Sequence, residues 1–84
     1  MISYEIFLKS IVDIKNFVNV VNTYDFDIDL ESGRYTIDAK SIMGIFSLDL
    51  SKPINMHVHS DDSSKIEADL QSYITKALES EENE

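Results

Sequence analysis

Cysteine and tryptophan are absent from this sequence of 84 residues, which also contains only two glycines and one proline. Without cysteine the chain has no disulfide and no thiolate for metal binding or nucleophilic catalysis. Basic residues are scarce as well. The chain has seven Lys and Arg and sixteen Asp and Glu, which gives a net charge of -9. Nucleic acids and anionic lipids are bound through Lys and Arg that neutralise phosphates. We therefore expect proteins as partners, and neither nucleic acid nor membrane.

Long apolar segments are missing too, and no stretch approaches the length of a membrane span. The first five residues lack the basic region and apolar run of a secretion signal, so we expect a cytoplasmic protein. The length suits one small domain, and a hydrophobic content of 43% suits a packed core. We predict a single domain over residues 1–79 and an acidic, frayed tail over residues 80–84. Nothing in the composition indicates a cofactor.

Alternation of apolar and polar residues predicts four β-strands. Apolar side chains recur at every second position, which is the period of a strand with one buried face. The predicted strands cover residues 2–8, 25–31, 35–37 and 54–58, with Ser32-Gly33 as the turn between the second and third. Since each strand is apolar on only one side, we expect an antiparallel sheet with helices on one face.

Apolar residues at spacings of three and four predict helices between the strands. Two pairs of residues, Ser10 with Asp13 and Ser64 with Glu67, have the capping-box spacing that opens a helix. The predicted helices cover residues 10–24 and 64–78, with a short helix from Ser41 between them.

The stretch Ala39–Leu48 concentrates apolar residues behind a serine. Ser41 is suited to begin a helix, since its hydroxyl accepts from free backbone amides, and those amides also favour an anion. More apolar residues follow than one short helix can bury, which predicts an exposed recognition patch. These residues are Ile42, Met43, Ile45 and Phe46. The alternative is a serine cap on a buried connecting helix, and the residues alone leave both interpretations open.

The same ten residues resemble the histidine-containing phosphocarrier proteins (HPr) of the bacterial sugar phosphotransferase system, whose corresponding segment reads A-K-S-I-M-G-V-M-S-L. The resemblance continues upstream through Phe17-Val18, Asp27-Ile28, Leu30-Glu31 and Gly33, and more weakly through the last predicted strand and helix. The resemblance implies an α+β fold, the HPr-like open-faced sandwich. In that fold a four-stranded antiparallel sheet has three helices on one face, in the order βαββαβα.

The resemblance also assigns residues to a regulatory site. Ser41 matches the serine that an ATP-dependent HPr kinase phosphorylates in many Gram-positive members of the family. The residues assigned to partner binding are Lys40, Ile42, Met43, Ile45 and Phe46. The partners that the resemblance implies are therefore proteins, either HPr kinase or a transcriptional or metabolic regulator in catabolite control.

The family's phosphocarrier motif, G-L-H-A-R-P before the first helix, has no counterpart in this sequence. Ser10 stands in place of the histidine that accepts phosphate, Val12 in place of the arginine, and Asp13 in place of the proline. Neither a serine hydroxyl nor an aspartate without activating neighbours replaces an imidazole at neutral pH. The pattern resembles the catabolite-repression HPr-like members of the family, which implies a non-enzymatic regulatory module without a catalytic residue.

Three hypotheses for the function remain open. The first is a protein-binding module that is switched by phosphorylation at Ser41. The second is a phosphocarrier that uses Ser10 or Asp13 as the acceptor, and the third is an HPr fold used only for assembly, with Ser41 as a plain helix cap. His57 and His59 share the outward face of one strand, where we expect them to face carboxylates rather than to bind a metal.

Overall fold

The computed structural model describes residues 1–78, which contain five strands and three helices. In chain order the elements are β1 (Ile2–Ile6), α1 (Ile11–Val21), β2 (Ile28–Ser32), β3 (Tyr35–Asp38), α2 (Ile42–Phe46), β4 (Ile54–Val58), α3 (Ser64–Asp69) and β5 (Ile74–Ala77). None of the helices in this range has the length and apolar content needed to cross a membrane. The predicted acidic tail, residues 80–84, lies outside the described residues, as does residue 79 of the predicted domain.

All neighbouring strands of the sheet are antiparallel, in the order β3-β2-β4-β1-β5. The apolar side chains of the central strands are buried on one face together with apolar side chains of the helices, so the predicted layers are confirmed. The other face carries the polar side chains that alternate with them. Fully buried members of the core include Ile6, Phe17, Leu30, Ile45 and Met56.

The prediction of four strands is wrong by one, because the described part of the chain contains a five-stranded sheet. The sequence pattern extended the last helix across residues 74–77, but α3 ends at Asp69 and those residues form β5. The backbone N–H groups of Tyr73 and Ile74 both donate to the carbonyl of Leu70, at 2.9 and 3.3 Å, and the chain turns there. β5 then pairs with β1, which would otherwise be an unpaired sheet edge.

Apolar spacing alone does not distinguish a helix from this turn and strand. Tyr73 lies in the turn and packs edge-on against Phe17, with ring centroids 6.2 Å apart. Ile74 packs against the same core from β5. Both side chains therefore reach the interior, as they would in a helix, while β-branched Ile74 and Thr75 favour a strand when a sheet edge is available.

The two predicted capping boxes have different outcomes. The Ser10 hydroxyl accepts from the backbone N–H of Asp13 at 3.1 Å, so the cap of α1 is confirmed. The residue that precedes α3 is Ser63, whose side chain makes no capping hydrogen bond. Ser64 is already the first helical residue, so its predicted pairing with Glu67 as a capping box is wrong.

The predicted hairpin between β2 and β3 forms, with a shorter first strand and with its turn at Gly33-Arg34 rather than at Ser32-Gly33. β2 begins at Ile28 rather than at residue 25. Ser32 lies opposite Tyr35, so the connection has two residues, and the first of them is Gly33 with φ 60°. Only glycine adopts this backbone conformation readily, which explains its place in the turn.

Candidate docking surface

α2 begins directly after Ser41, and the serine caps it. The Ser41 hydroxyl accepts a hydrogen bond from the backbone N–H of Gly44 at 3.1 Å. Ser41 is also exposed to solvent. The two properties are compatible, because a hydroxyl oxygen that accepts one bond still carries a proton that it can donate. Ser41 is therefore both a helix cap and an accessible hydroxyl group.

The outer side of α2 leaves large apolar side chains in solvent. Met43 is 75% exposed and Phe46 is 45% exposed, while Ile42 is partly buried. Ile45 is fully buried in the core, which corrects its place among the predicted partner-binding residues. Ile45 lies on the inward side of an amphipathic helix, so it packs into the core and holds α2 in place. The exposed and partly exposed residues, named the α2 surface from here on, are Lys40, Ser41, Ile42, Met43 and Phe46.

Gly44 allows α2 to lie close to β3. A Cβ atom on this residue would be 3.3 Å from the Ser41 hydroxyl oxygen and 3.4 Å from the Cβ of Ile37 in β3. A Cβ atom would therefore crowd the capping hydroxyl, while it would come into ordinary contact with the strand. Because Gly44 has no side chain, it determines how closely α2 and its surface pack against β3.

Lys40 is held by the segment that follows α1. Its ammonium group donates to the carbonyl oxygen of Tyr24 at 2.6 Å, and the side-chain amide of Asn22 donates to the Lys40 carbonyl at 3.3 Å. The backbone N–H of Lys40 donates to the Asp38 carboxylate at 2.9 Å. These bonds fix the residue next to Ser41, and they engage its positive charge within the chain.

Tyr24 is in turn anchored to the last helix. Its hydroxyl donates to the carboxylate of Asp69 at the end of α3, and the Lys65 amine lies 5.4 Å from the ring centroid. Burial, together with the hydrogen bond and negative charge of Asp69, raises the pKa of Tyr24 to about 12. The hydroxyl therefore keeps its proton at neutral pH. Through Tyr24 and Lys40, the α2 surface is connected to α3.

The start of α1 holds the positions that resemble the phosphocarrier site. The Ser10 hydroxyl accepts from the N–H of Asp13, and the Asp13 carboxylate accepts from the N–H of Lys9, both at 3.1 Å. Ile11 and Val12 are 60% and 64% exposed. Neither was predicted from the sequence to be a surface residue, although both fall outside the apolar stripe of the helix. Two exposed apolar side chains thus stand beside a serine that acts as a helix cap.

His57 lies on β4 and His59 directly follows the strand, and both face carboxylates of β2 across the open side of the sheet, as predicted. His57 Nε2 lies 2.8 Å from Glu31 Oε1, and its Nδ1 lies 2.7 Å from the Ser3 hydroxyl of β1. His59 Nε2 lies 2.8 Å from Asp29 Oδ2. These contacts join β1, β4 and β2 on the polar face, away from Ser10 and the α2 surface.

Two comparisons with known proteins find similarity to this chain. The family model PTS-HPr, described as the PTS HPr component phosphorylation site, matches residues 13–76. The crystal structure of HPr-C-His from Thermoanaerobacter tengcongensis is similar with a TM-score of 0.67 and 27% sequence identity, over 83% of this chain and 84% of that chain. No curated protein matches the chain.

Proposed function

The chain belongs to the HPr family of the phosphotransferase system, and we propose that it is a protein-binding regulatory member that has lost the phosphocarrier reaction. Proteins of this family are phosphocarriers rather than enzymes, and they interact with other proteins of the phosphotransferase system. The observation that carries the proposal is the exposure of Met43 and Phe46 on α2, beside the accessible Ser41. Clustered large apolar side chains in solvent are typical of protein-binding surfaces.

The contacts of the histidines and of Ser10 support the loss of the carrier reaction. The two histidines of the sequence, His57 and His59, bond to carboxylates on the open face of the sheet. Ser10, at the position that resembles the phosphoryl acceptor, has the contacts of a helix cap. A hydroxyl lacks the nitrogen lone pair with which an imidazole accepts and releases a phosphoryl group near neutral pH. Ser10 is therefore a poor replacement.

Transfer of labelled phosphate from phosphoenolpyruvate through enzyme I tests this loss. We expect no label on the wild-type chain, while an HPr that retains its histidine is labelled under the same conditions. Label on the wild-type chain that disappears in Ser10→Ala or Asp13→Ala would contradict the proposal and establish a carrier with an unusual acceptor.

Phosphorylation of Ser41 is the proposed switch of the α2 surface. A phosphate would add about -1.5 to -2 charges beside Met43 and Phe46. Apolar contacts are weakened when a charge must be desolvated next to them, whereas a partner with arginine at that point gains a charge-assisted bond. The modification would therefore exchange one class of partner for another.

Incubation with purified HPr kinase and ATP, followed by intact mass measurement, tests the switch. We expect the wild-type chain and the control variant Ser47→Ala to gain one phosphate, and Ser41→Ala to gain none. Ser47 is a suitable control because it is an exposed serine at the other end of α2. An unmodified wild-type chain, or a modified Ser41→Ala chain, would contradict phosphorylation at Ser41.

Binding of the unmodified chain to HPr kinase, measured by calorimetry without ATP, tests the docking role separately. We expect Met43→Asp and Phe46→Asp each to weaken binding by about tenfold or more, as for buried apolar interface residues. Tyr35→Asp is the matched control, since Tyr35 is large and exposed but lies on β3. Equal losses in all three variants would contradict docking through the α2 surface.

A further inference from the structure

β5 forms one edge of the sheet in the described part of the chain. Its inner side bonds to β1, and the backbone N–H of Leu78 donates to the Ser3 carbonyl at 2.9 Å. Successive N–H groups of an antiparallel strand point to opposite sides, so the N–H of Ala77 points away from β1. Lys76 and Ala77 are both exposed. β5 thus presents a backbone donor at an accessible sheet edge.

A groove of about 360 Å³ lies beside this edge, between α3 and β5. It exists because α3 ends at Asp69 and the chain turns back to form a strand, where the sequence had predicted a longer helix. The residues that line it are Ser64, Glu67, Ala68, Gln71 and Ile74. Ala68 and Ile74 give it an apolar floor, and Glu67 supplies a carboxylate. This combination suits a side chain with an apolar stem and a cationic end.

We infer that β5 and the groove together bind an extended basic peptide segment, which adds to the sheet as a further antiparallel strand. Strand addition takes its affinity from backbone hydrogen bonds and its specificity from pockets for alternate side chains. The Ala77 N–H provides the backbone contact, and the groove receives an arginine or lysine whose stem lies on Ile74 and whose charge meets Glu67. The net charge of -9 attracts a basic peptide at long range, before it contacts the edge.

A second copy of the chain is a poor occupant of the same edge. Two copies would each carry a charge of -9, and their mutual repulsion opposes association, whereas a basic segment is attracted. β5 has four residues, and its register with β1 shifts at Glu5 and Ile6. Such a short, irregular edge supplies few backbone bonds to any added strand, so charge attraction has to contribute to binding, and a basic segment has it while a second acidic copy does not.

A labelled eight-residue peptide of alternating arginine and valine, with blocked ends, is the probe for this site. We expect it to bind the wild-type chain and to protect the Ala77 amide from hydrogen exchange. An excess of a peptide of alternating glutamate and valine should not displace it. Glu67→Lys should weaken binding by about tenfold, because the groove charge is reversed. The matched control Asp27→Lys, an equal charge change before β2, should weaken it by less than about twofold through screened, long-range repulsion.

Ala77→Pro removes the outward N–H without disturbing the bonds to β1, since edge strands accept proline at such positions. We expect this variant to keep its circular dichroism spectrum and thermal midpoint and to lose peptide binding. Three results would overturn the inference: wild-type affinity in folded Ala77→Pro, equal losses in the two lysine variants, or no binding of the basic peptide. A dimer of the wild-type chain that Ala77→Pro dissociates would overturn it as well, by assigning the edge to a second copy.

Discussion

At the scale of single residues, the two histidines have different structural consequences. His57 contacts Ser3, which is 3% exposed, and bonds Glu31 on its other side. The His59 ring bonds Asp29 at a site where both side chains are accessible to water. A buried hydroxyl that loses its partner retains the full cost of its desolvation, whereas exposed ion pairs contribute little. Similar histidine contacts therefore have unequal effects on stability.

Replacement of His57 should reveal this difference. We expect His57→Leu to lower the free energy of unfolding by about 1–3 kcal/mol, since the Ser3 hydroxyl is left buried without its partner. His59→Leu, the matched control, should change it by less than about 1 kcal/mol. Urea denaturation at pH 7 measures both. Equal losses in the two variants would contradict the special position of Ser3, as would a failure of Ser3→Ala to restore stability to His57→Leu.

Tyr24 gives a prediction for alkaline pH. Its pKa rises from 10.0 to about 12 on folding, chiefly through burial and then through Asp69, so deprotonation favours the unfolded chain. The contribution of Tyr24 to stability is complete below pH 10.0 and is lost as the pH rises toward about 12. Denaturant unfolding across that interval should show a falling free energy, and Tyr24→Phe should show a smaller fall. Parallel slopes for the two proteins would contradict the assignment.

At the scale of the element, α2 depends on tertiary contacts for its existence. A helix of five residues is too short to form alone in water. Three contacts hold it here: the Ser41 cap, the close approach of Gly44 to Ile37, and the burial of Ile45. Because Ile45 anchors the inner side, Met43 and Phe46 remain on the outer side. The position of the α2 surface is thus fixed by the buried contacts beneath it.

A double-mutant cycle tests the coupling between the Ser41 cap and the glycine. Alanine at position 44 gains about 1 kcal/mol of helix propensity. In the wild-type chain this gain is offset, because the new Cβ crowds the Ser41 hydroxyl and weakens a cap that contributes about 1 kcal/mol. We therefore expect Gly44→Ala to be nearly neutral in the wild-type chain and stabilising in the Ser41→Ala background. Thermal unfolding measures both, and equal effects in the two backgrounds would contradict the crowding.

At the scale of the whole molecule, negative charge is spread over a compact domain. The chain has sixteen acidic and seven basic residues, and twelve of the acidic ones lie within the described residues 1–78. Folding brings these carboxylates closer together than they are in the unfolded chain, so their mutual repulsion opposes the compact state. The same net negative charge attracts basic partners at long range.

Salt should therefore stabilise the protein. Raising the ionic strength from about 0.01 M to about 0.15 M shortens the screening length from about 30 Å to about 8 Å and weakens the repulsion. We expect the thermal midpoint to rise by roughly 4 °C or more, which corresponds to about 1 kcal/mol for a domain of this size. Asp27→Lys, which adds two charges to the net value of -9, should show a smaller rise. A midpoint that falls with salt would contradict net repulsion.

Local patterns in the sequence determined much of the architecture. Strand alternation placed β1, β3 and β4 and the buried face of the sheet, because side chains alternate with a period of two. Ser10 and Ser41 marked the starts of α1 and α2, because their hydroxyls satisfy free amides whatever lies nearby. Gly33 marked the hairpin turn for an equally local reason, its positive φ.

Tertiary structure alone decided the course of residues 70–78 and which side chains make up the α2 surface. Residues 70–78 carry an apolar spacing that fits a helix, but the free edge of β1 draws residues 74–77 into β5. Likewise, the sequence left open whether the apolar residues of α2 are exposed or buried, and only packing decided that Ile45 enters the core and Met43 stays outside. Caps and turns are satisfied by neighbours in sequence, whereas strand pairing and burial depend on surfaces contributed by distant residues.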